Sequence, residues 1–122
     1  MRTVRLLPRR AGANMTSDDG DVLARVAKEK DFFGSVLHED RFDDWSLAKN
    51  LGELLIRTEP DSEIMGHALL VRACRHLRDS QRALVELEQC RVRIANRELK
   101  PWEAGLFLPF LAEEEKLLSK GH

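Results

Sequence analysis

The sequence contains no tyrosine, only 6% aromatic residues and seven scattered glycines. Strands are enriched in aromatic and β-branched residues that alternate with polar ones, and such alternating runs are scarce here. We therefore do not expect a β-sandwich or a β-barrel. The 122 residues are 43% hydrophobic and 34% charged, which predicts one all-α domain, because a disordered chain would contain fewer Leu, Val, Ile and Phe.

Long apolar segments are also missing. No stretch approaches the roughly 18 apolar residues of a membrane-spanning helix, and the N-terminus lacks the apolar core of about 7 to 15 residues that a secretory signal needs. Two cysteines, Cys74 and Cys90, lie within amphipathic segments. This placement is typical of reduced, buried thiols rather than of a structural disulfide. These features predict a cytoplasmic protein without a membrane partner.

The first residues differ from the rest of the chain in charge. Residues 1–14 contain four Arg and no acid, whereas the whole chain has a net charge of −1. We expect a disordered basic tail over residues 1–15 and a single helical domain over residues 16–122. The tail has three interpretations: a translation start that belongs at Met15, an arm that binds nucleic acid or acidic lipid, and a transit peptide.

Apolar residues recur at intervals of three and four along the domain, and this period predicts about five helices. The third and fourth helices are joined by a linker of only three residues, which makes them antiparallel neighbours. Pro109 lies inside the fifth and predicts a kink or two short helices. The first predicted helix runs from Ser17 or Asp18 to about Leu37, and the second from about residue 44 to residue 58. The third begins at Asp61 or Ser62, the fourth follows Arg78-Asp79-Ser80, and the fifth runs from Pro101 to Gly121.

The segment HALLVRACRHLRDSQRALVELEQC is similar to a tetratricopeptide repeat (TPR). Together with the helix that precedes it, the resemblance covers roughly residues 45–94. It implies antiparallel helical hairpins stacked as a short right-handed array, with the fifth helix as a cap. A plain antiparallel bundle is the alternative. The residues that match the repeat are Leu70, Cys74 and Leu77 on the first helix, Asp79 on the turn, and Ala83, Leu87 and Cys90 on the second.

The resemblance implies a non-catalytic protein–protein interaction module and a place where it binds. Arg72, Arg75 and His76 share one side of the third helix with Met65 and Ala68. In a repeat stack this side lines the concave surface that holds an extended peptide. Guanidinium groups there favour an acidic peptide, because they donate paired hydrogen bonds to carboxylates.

Internal ion pairing is the competing explanation of the same arginines. Residues 15–63 have a net charge of −7 and residues 72–97 a net charge of +4, so the two regions can pair with each other. A nucleic-acid role ranks below both hypotheses, because aromatic residues are not interleaved with the basic ones. The pairs expected on this explanation join Arg72, Arg75, Arg78 and Arg82 to acids that include Asp40, Asp43, Asp44 and Glu53.

Motifs for catalysis or cofactor binding are not recognisable. The sequence has neither a nucleophile-elbow pattern nor a glycine-rich phosphate loop. Cys74 and His76 are two residues apart and diverge on a helix, so they do not form a metal site. The acids Glu113, Glu114 and Glu115 are expected at the surface. We predict no enzyme activity, no cofactor and no metal.

Self-association is the remaining hypothesis. Trp45 and Trp102 are expected to anchor the core near helix starts. Phe107 and Phe110, on either side of Pro109, are expected to form an exposed apolar patch that supports a homodimer.

Overall fold

The computed structural model describes residues 17–120, and within this range the chain is helical without a strand. The all-α prediction is confirmed. The predicted tail, the start at Met15 and the helix end at Gly121 lie outside the described residues. The α-helices are α1 (Ser17–Lys28), α2 (Trp45–Thr58), α3 (Glu63–His76), α4 (Ser80–Ala95) and α5 (Pro101–Lys120), with a π-helical turn at Gly34–His38 and a 3-10 turn at Pro60–Ser62.

Local side chains set several helix ends. Asp44 caps α2 by accepting from the Leu47 backbone N–H at 3.1 Å, and Asp79 caps α4 by accepting from the Arg82 N–H at 3.1 Å. Pro60 lies two residues after Thr58, the last residue of α2. Each cap joins residues that are three apart in the sequence, so it forms independently of how the helices pack against one another.

The first and fifth helices differ from the predictions. α1 ends at Lys28 rather than near Leu37, and a right-handed helix cannot continue through Asp31, whose φ is 53°. α5 continues through Pro109, so of the two predicted alternatives the division into two short helices is wrong, and a kink stays a prediction. Pro109 and Gly105 are both exposed, and water can therefore satisfy the Gly105 carbonyl that lost its partner.

α3 is the centre of the structure. Its most extensive contacts are with α2 and α4, and the π-helical turn and α5 also pack against it. Buried apolar residues occupy half of its positions, including Ala68, Leu69 and Val71, each 0% exposed. α3 thus separates two sides of the molecule, one closed by α5 and the π-helical turn and the other bordered by α1, α2 and α4. No helix within residues 17–120 has both the length and the apolar character needed to cross a membrane.

Candidate functional site

The five residues predicted to bind a partner lie on a covered side of α3. Ala68 is 0% and Arg72 1% exposed, while Met65, Arg75 and His76 are partly buried. The predicted accessibility of Ala68 and Arg72 is wrong, because the π-helical turn and α5 cover them, and both elements lie outside the part of the chain that resembles a repeat. The binding role of these residues stays a prediction.

Arg72 is the centre of a buried cluster of charges. Its Nη1 donates to Glu114, which is 0% exposed. Its Nη2 donates to Glu113 at 2.8 Å and to the Leu37 carbonyl oxygen at 2.9 Å. The guanidinium also lies 4.8 Å from the centre of the Phe110 ring. Arg72 therefore connects α3 to α5 and to the π-helical turn.

Arg75 and His76 extend this cluster. Arg75 Nε donates to Glu114 at 2.8 Å and Nη2 donates to Asp40, while His76 Nε2 lies 2.8 Å from Asp40. The His76 ring stacks on Trp45 with ring centres 4.0 Å apart. Burial acts to lower the pKa of Arg75, but hydrogen bonds with Glu114 and Asp40 outweigh it and raise the pKa. The guanidinium remains charged and bound within the molecule.

Internal pairing is thus confirmed for part of the predicted set. Arg72 lies 3.7 Å from Asp40, Arg75 is hydrogen-bonded to Asp40, and Arg82 lies 3.5 Å from Glu53. The acids contributed by α5 to the Arg72 cluster were not predicted from the sequence.

The sequence prediction for Glu114 is wrong. It is buried rather than at the surface. Phe107 and Phe110 lie seven and four residues before Glu114, and Leu118 lies four residues after it. All three are buried. The helical spacing places Glu114 on the same side of α5 as these residues, and this spacing is the signal that could have identified it.

The predicted self-association patch is also part of the core. Phe107 and Phe110 are 2% and 3% exposed, so their predicted exposure is wrong; they point with Glu114 towards α3. Trp102, predicted to anchor the core, is instead 59% exposed, and Leu108 is 50% exposed. The residues that α5 shows to solvent are therefore different from those predicted.

Both cysteine thiols are buried and unpaired with each other, as the sequence predicts. Burial raises the pKa of Cys74, and it raises the pKa of Cys90 to about 12. The reactive thiolate is therefore scarce at neutral pH.

We expect native protein at pH 8 to react with an aromatic disulfide reagent at least about tenfold more slowly than urea-unfolded protein. Stopped-flow absorbance gives both rates. Equal rates would contradict the burial of Cys74 and Cys90.

An open groove of about 730 Å³ lies on the other side of α3. His67 and Leu70 of α3 line it, and the helical period directs them away from Arg72. α1, α2 and α4 supply the other walls. The apolar part of the lining consists of Val22, Ile56 and Leu70; the polar part includes the acids Asp18, Asp19, Glu53 and Glu86, the arginines Arg57 and Arg82, and the amide of Asn50.

Ion pairs and a hydrogen bond hold the polar side chains of the groove in position. Arg57 donates to Asp19 at 2.8 Å, Arg82 donates to Glu86 at 2.8 Å, and His67 Nδ1 lies 2.5 Å from Glu86. Burial acts to raise the pKa of Glu86, but hydrogen bonds with His67 and Arg82 outweigh it and lower the pKa. Glu86 therefore stays ionised, and the groove offers fixed charges around an apolar surface.

Comparisons with protein families, with curated proteins and with solved structures each found no match to the chain. Within residues 17–120 no group of three or more His, Cys, Asp or Glu is placed to hold a metal ion. The expectations of no catalysis, no cofactor and a cytoplasmic location stay predictions.

Proposed function

We propose that this chain is a non-catalytic protein–protein interaction module of TPR type that binds a segment of its partner in the groove. α2, α3 and α4 would be the stacked helices, with α5 as a cap. The extensive packing of α3 between α2 and α4 supports this assignment. The tight turn capped by Asp79 supports it as well.

The observation that carries the proposal is the composition of the groove. An apolar surface is surrounded by polar side chains whose positions are fixed by ion pairs, and such a combination gives affinity together with orientation. Both arginines of the lining, Arg57 and Arg82, are bound to carboxylates of the chain itself. The side of α3 that carries Arg72 is closed, so the groove is the better supported docking surface.

The charge of the groove indicates the chemistry of the partner. Four carboxylates line it against two guanidinium groups, which pair with Asp19 and Glu86, so the groove keeps an excess of two negative charges. We therefore propose a partner segment that carries Lys or Arg beside apolar residues, because opposite charges favour encounter and register. The acidic peptide expected from the sequence would depend on Arg72 and Arg75, which are already paired with Glu114.

Peptides selected from a random library on the full chain should contain an apolar residue next to Lys or Arg. Asn50→Arg should weaken their binding at least about tenfold, because Asn50 is exposed and the larger cation would occupy the groove. Isothermal titration calorimetry measures the change.

Ser46→Arg is the matched control. Ser46 is exposed one turn earlier on α2 and does not line the groove, so this variant adds the same charge and should bind as the wild type does. Selection of no peptide, or equal affinity in the wild type and Asn50→Arg, would rule out the groove as the docking surface.

A further inference from the structure

His67 brings a buried hydrogen-bonding atom without a partner to the groove. Its side chain is 8% exposed and lines the groove from α3. Nδ1 lies 2.5 Å from Glu86 Oε1, whereas no group within the described residues forms a hydrogen bond with Nε2. Buried polar atoms are nearly always paired, so each exception calls for an explanation. Nε2 is therefore suited to a hydrogen bond with a bound partner.

The bond to Glu86 determines which ring nitrogen of His67 carries the hydrogen. The ionised Glu86 carboxylate can only accept, so Nδ1 must donate to it. In the neutral imidazole, Nε2 then carries a lone pair and acts as an acceptor. A partner for Nε2 must therefore be a donor, such as an N–H group.

Glu53 supplies a carboxylate near this acceptor. α2 and α3 are in close contact at Gly52 and Gly66, because a Cβ on Gly52 would lie 2.8 Å from the Gly66 carbonyl oxygen. Glu53 and His67 directly follow these glycines, and both line the groove. The contact between the helices thus brings a carboxylate and an unpaired acceptor to the same part of the groove. This combination suits a cationic N–H donor.

Arg82 shows that this part of the groove accommodates a guanidinium group. It donates to Glu86 of α4 at 2.8 Å, and its Nη2 donates to Glu53 of α2 at 3.5 Å. α3 packs between these two helices, so the Arg82 side chain crosses the groove at the level of His67. The longer contact joins two partly exposed side chains and therefore contributes little. A second cation can replace Arg82 at Glu53.

We propose that His67 is the specificity-determining residue of the groove, an inference that rests on the proposed function. A Lys or Arg side chain of the partner segment donates to His67 Nε2 and to the Glu53 carboxylate. Arg82 leaves Glu53 and keeps its shorter bond to Glu86. The groove then selects a cationic N–H donor, because an apolar side chain at this place would leave Nε2 unpaired.

A double-mutant cycle on the full chain tests this contact. His67→Asn keeps an amide near the position of Nδ1 but removes Nε2, so it should weaken a selected basic and apolar peptide at least about tenfold. Replacing the contacting Lys or Arg of the peptide by Met removes the donor. His67→Asn should then weaken that peptide less than about twofold. Isothermal titration calorimetry gives each affinity, and the peptide position that couples to His67 identifies the donor as Lys or Arg.

His38→Asn is the matched control. His38 is exposed on the π-helical turn and does not line the groove, so this variant should bind both peptides as the wild type does.

Long-range proton–nitrogen NMR spectra of the wild type at about pH 8 test the contact without a variant. We expect His67 Nε2 to be unprotonated and its signal to move as the peptide saturates the groove, while the Nε2 signal of His38 remains in place.

The outcomes separate this inference from the proposed function. No weakening by His67→Asn, equal weakening of both peptides, or a His67 Nε2 signal that the peptide leaves in place would overturn the inference. The groove would remain the docking surface in each case if Asn50→Arg still weakened binding. Selection of no peptide would overturn the proposed function and this inference together.

Discussion

Glu114→Gln is expected to destabilise the protein by about 1 to 3 kcal/mol, since replacing the buried carboxylate by an amide removes charge-assisted hydrogen bonds and leaves buried guanidinium donors without an acceptor. Glu114 is 0% exposed, and its carboxylate accepts from both Arg72 and Arg75. Glutamine has nearly the same shape, but one of the two acceptor oxygens becomes an NH₂ donor that faces the arginines, while Glu113 and Asp40 still pair with them. Urea denaturation followed by circular dichroism gives the free energy of unfolding.

Glu115→Gln is the control for this change. Glu115 is the next residue and pairs with Arg91 at 2.7 Å, and both side chains are substantially exposed, 47% and 39% respectively. Exposed pairs contribute about 0 to 1 kcal/mol, so this variant should unfold close to the wild type. Equal losses in the two variants would show that the Arg72 cluster is not a buried determinant of stability.

Gly66→Ala is expected to destabilise the fold by about 1 to 3 kcal/mol. A Cβ at this position would lie 2.9 Å from the Gly52 carbonyl oxygen and 2.8 Å from Ile56 Cγ1. The carbonyl belongs to the backbone of α2, so α2 and α3 would have to move apart. Alanine in a helix interior is otherwise favoured over glycine by about 0.5 to 1 kcal/mol. A loss of stability in Gly66→Ala would therefore indicate the close contact between α2 and α3.

Gly20→Ala supplies the matched comparison. Gly20 also lies within a helix, and apart from its chain neighbours and the backbone of its own helix no described atom lies within 4 Å of the position of its Cβ. This variant should be more stable than the wild type by about 0.5 to 1 kcal/mol. If Gly66→Ala gained stability as well, α2 and α3 would not be in close contact at Gly52.

The helices themselves could be predicted from the sequence because their signals are local. Asp44 and Asp79 act as caps, Pro60 ends α2, and the apolar period places α3. The end of α1 was missed because the left-handed residue Asp31 is a single position without a strong sequence signature.

The candidate site could be predicted only in part, because it depends on tertiary packing. The shared side of Arg72 and Arg75 follows from helical spacing, but their burial depends on α5 and on the π-helical turn. Both elements are outside the segment that resembles a repeat. The groove was missed because its walls come from α1, α2, α3 and α4, which are distant in sequence.

Chemical-shift mapping of the full chain with a selected basic and apolar peptide tests the central claim most directly. We expect the amide signals of Asn50, Glu53 and Arg82 to shift and saturate with the peptide, while those of Arg72 and Arg75 remain in place. Saturating shifts confined to Arg72 and Arg75 would contradict the account, because they would place the docking surface on the side of α3 that α5 covers.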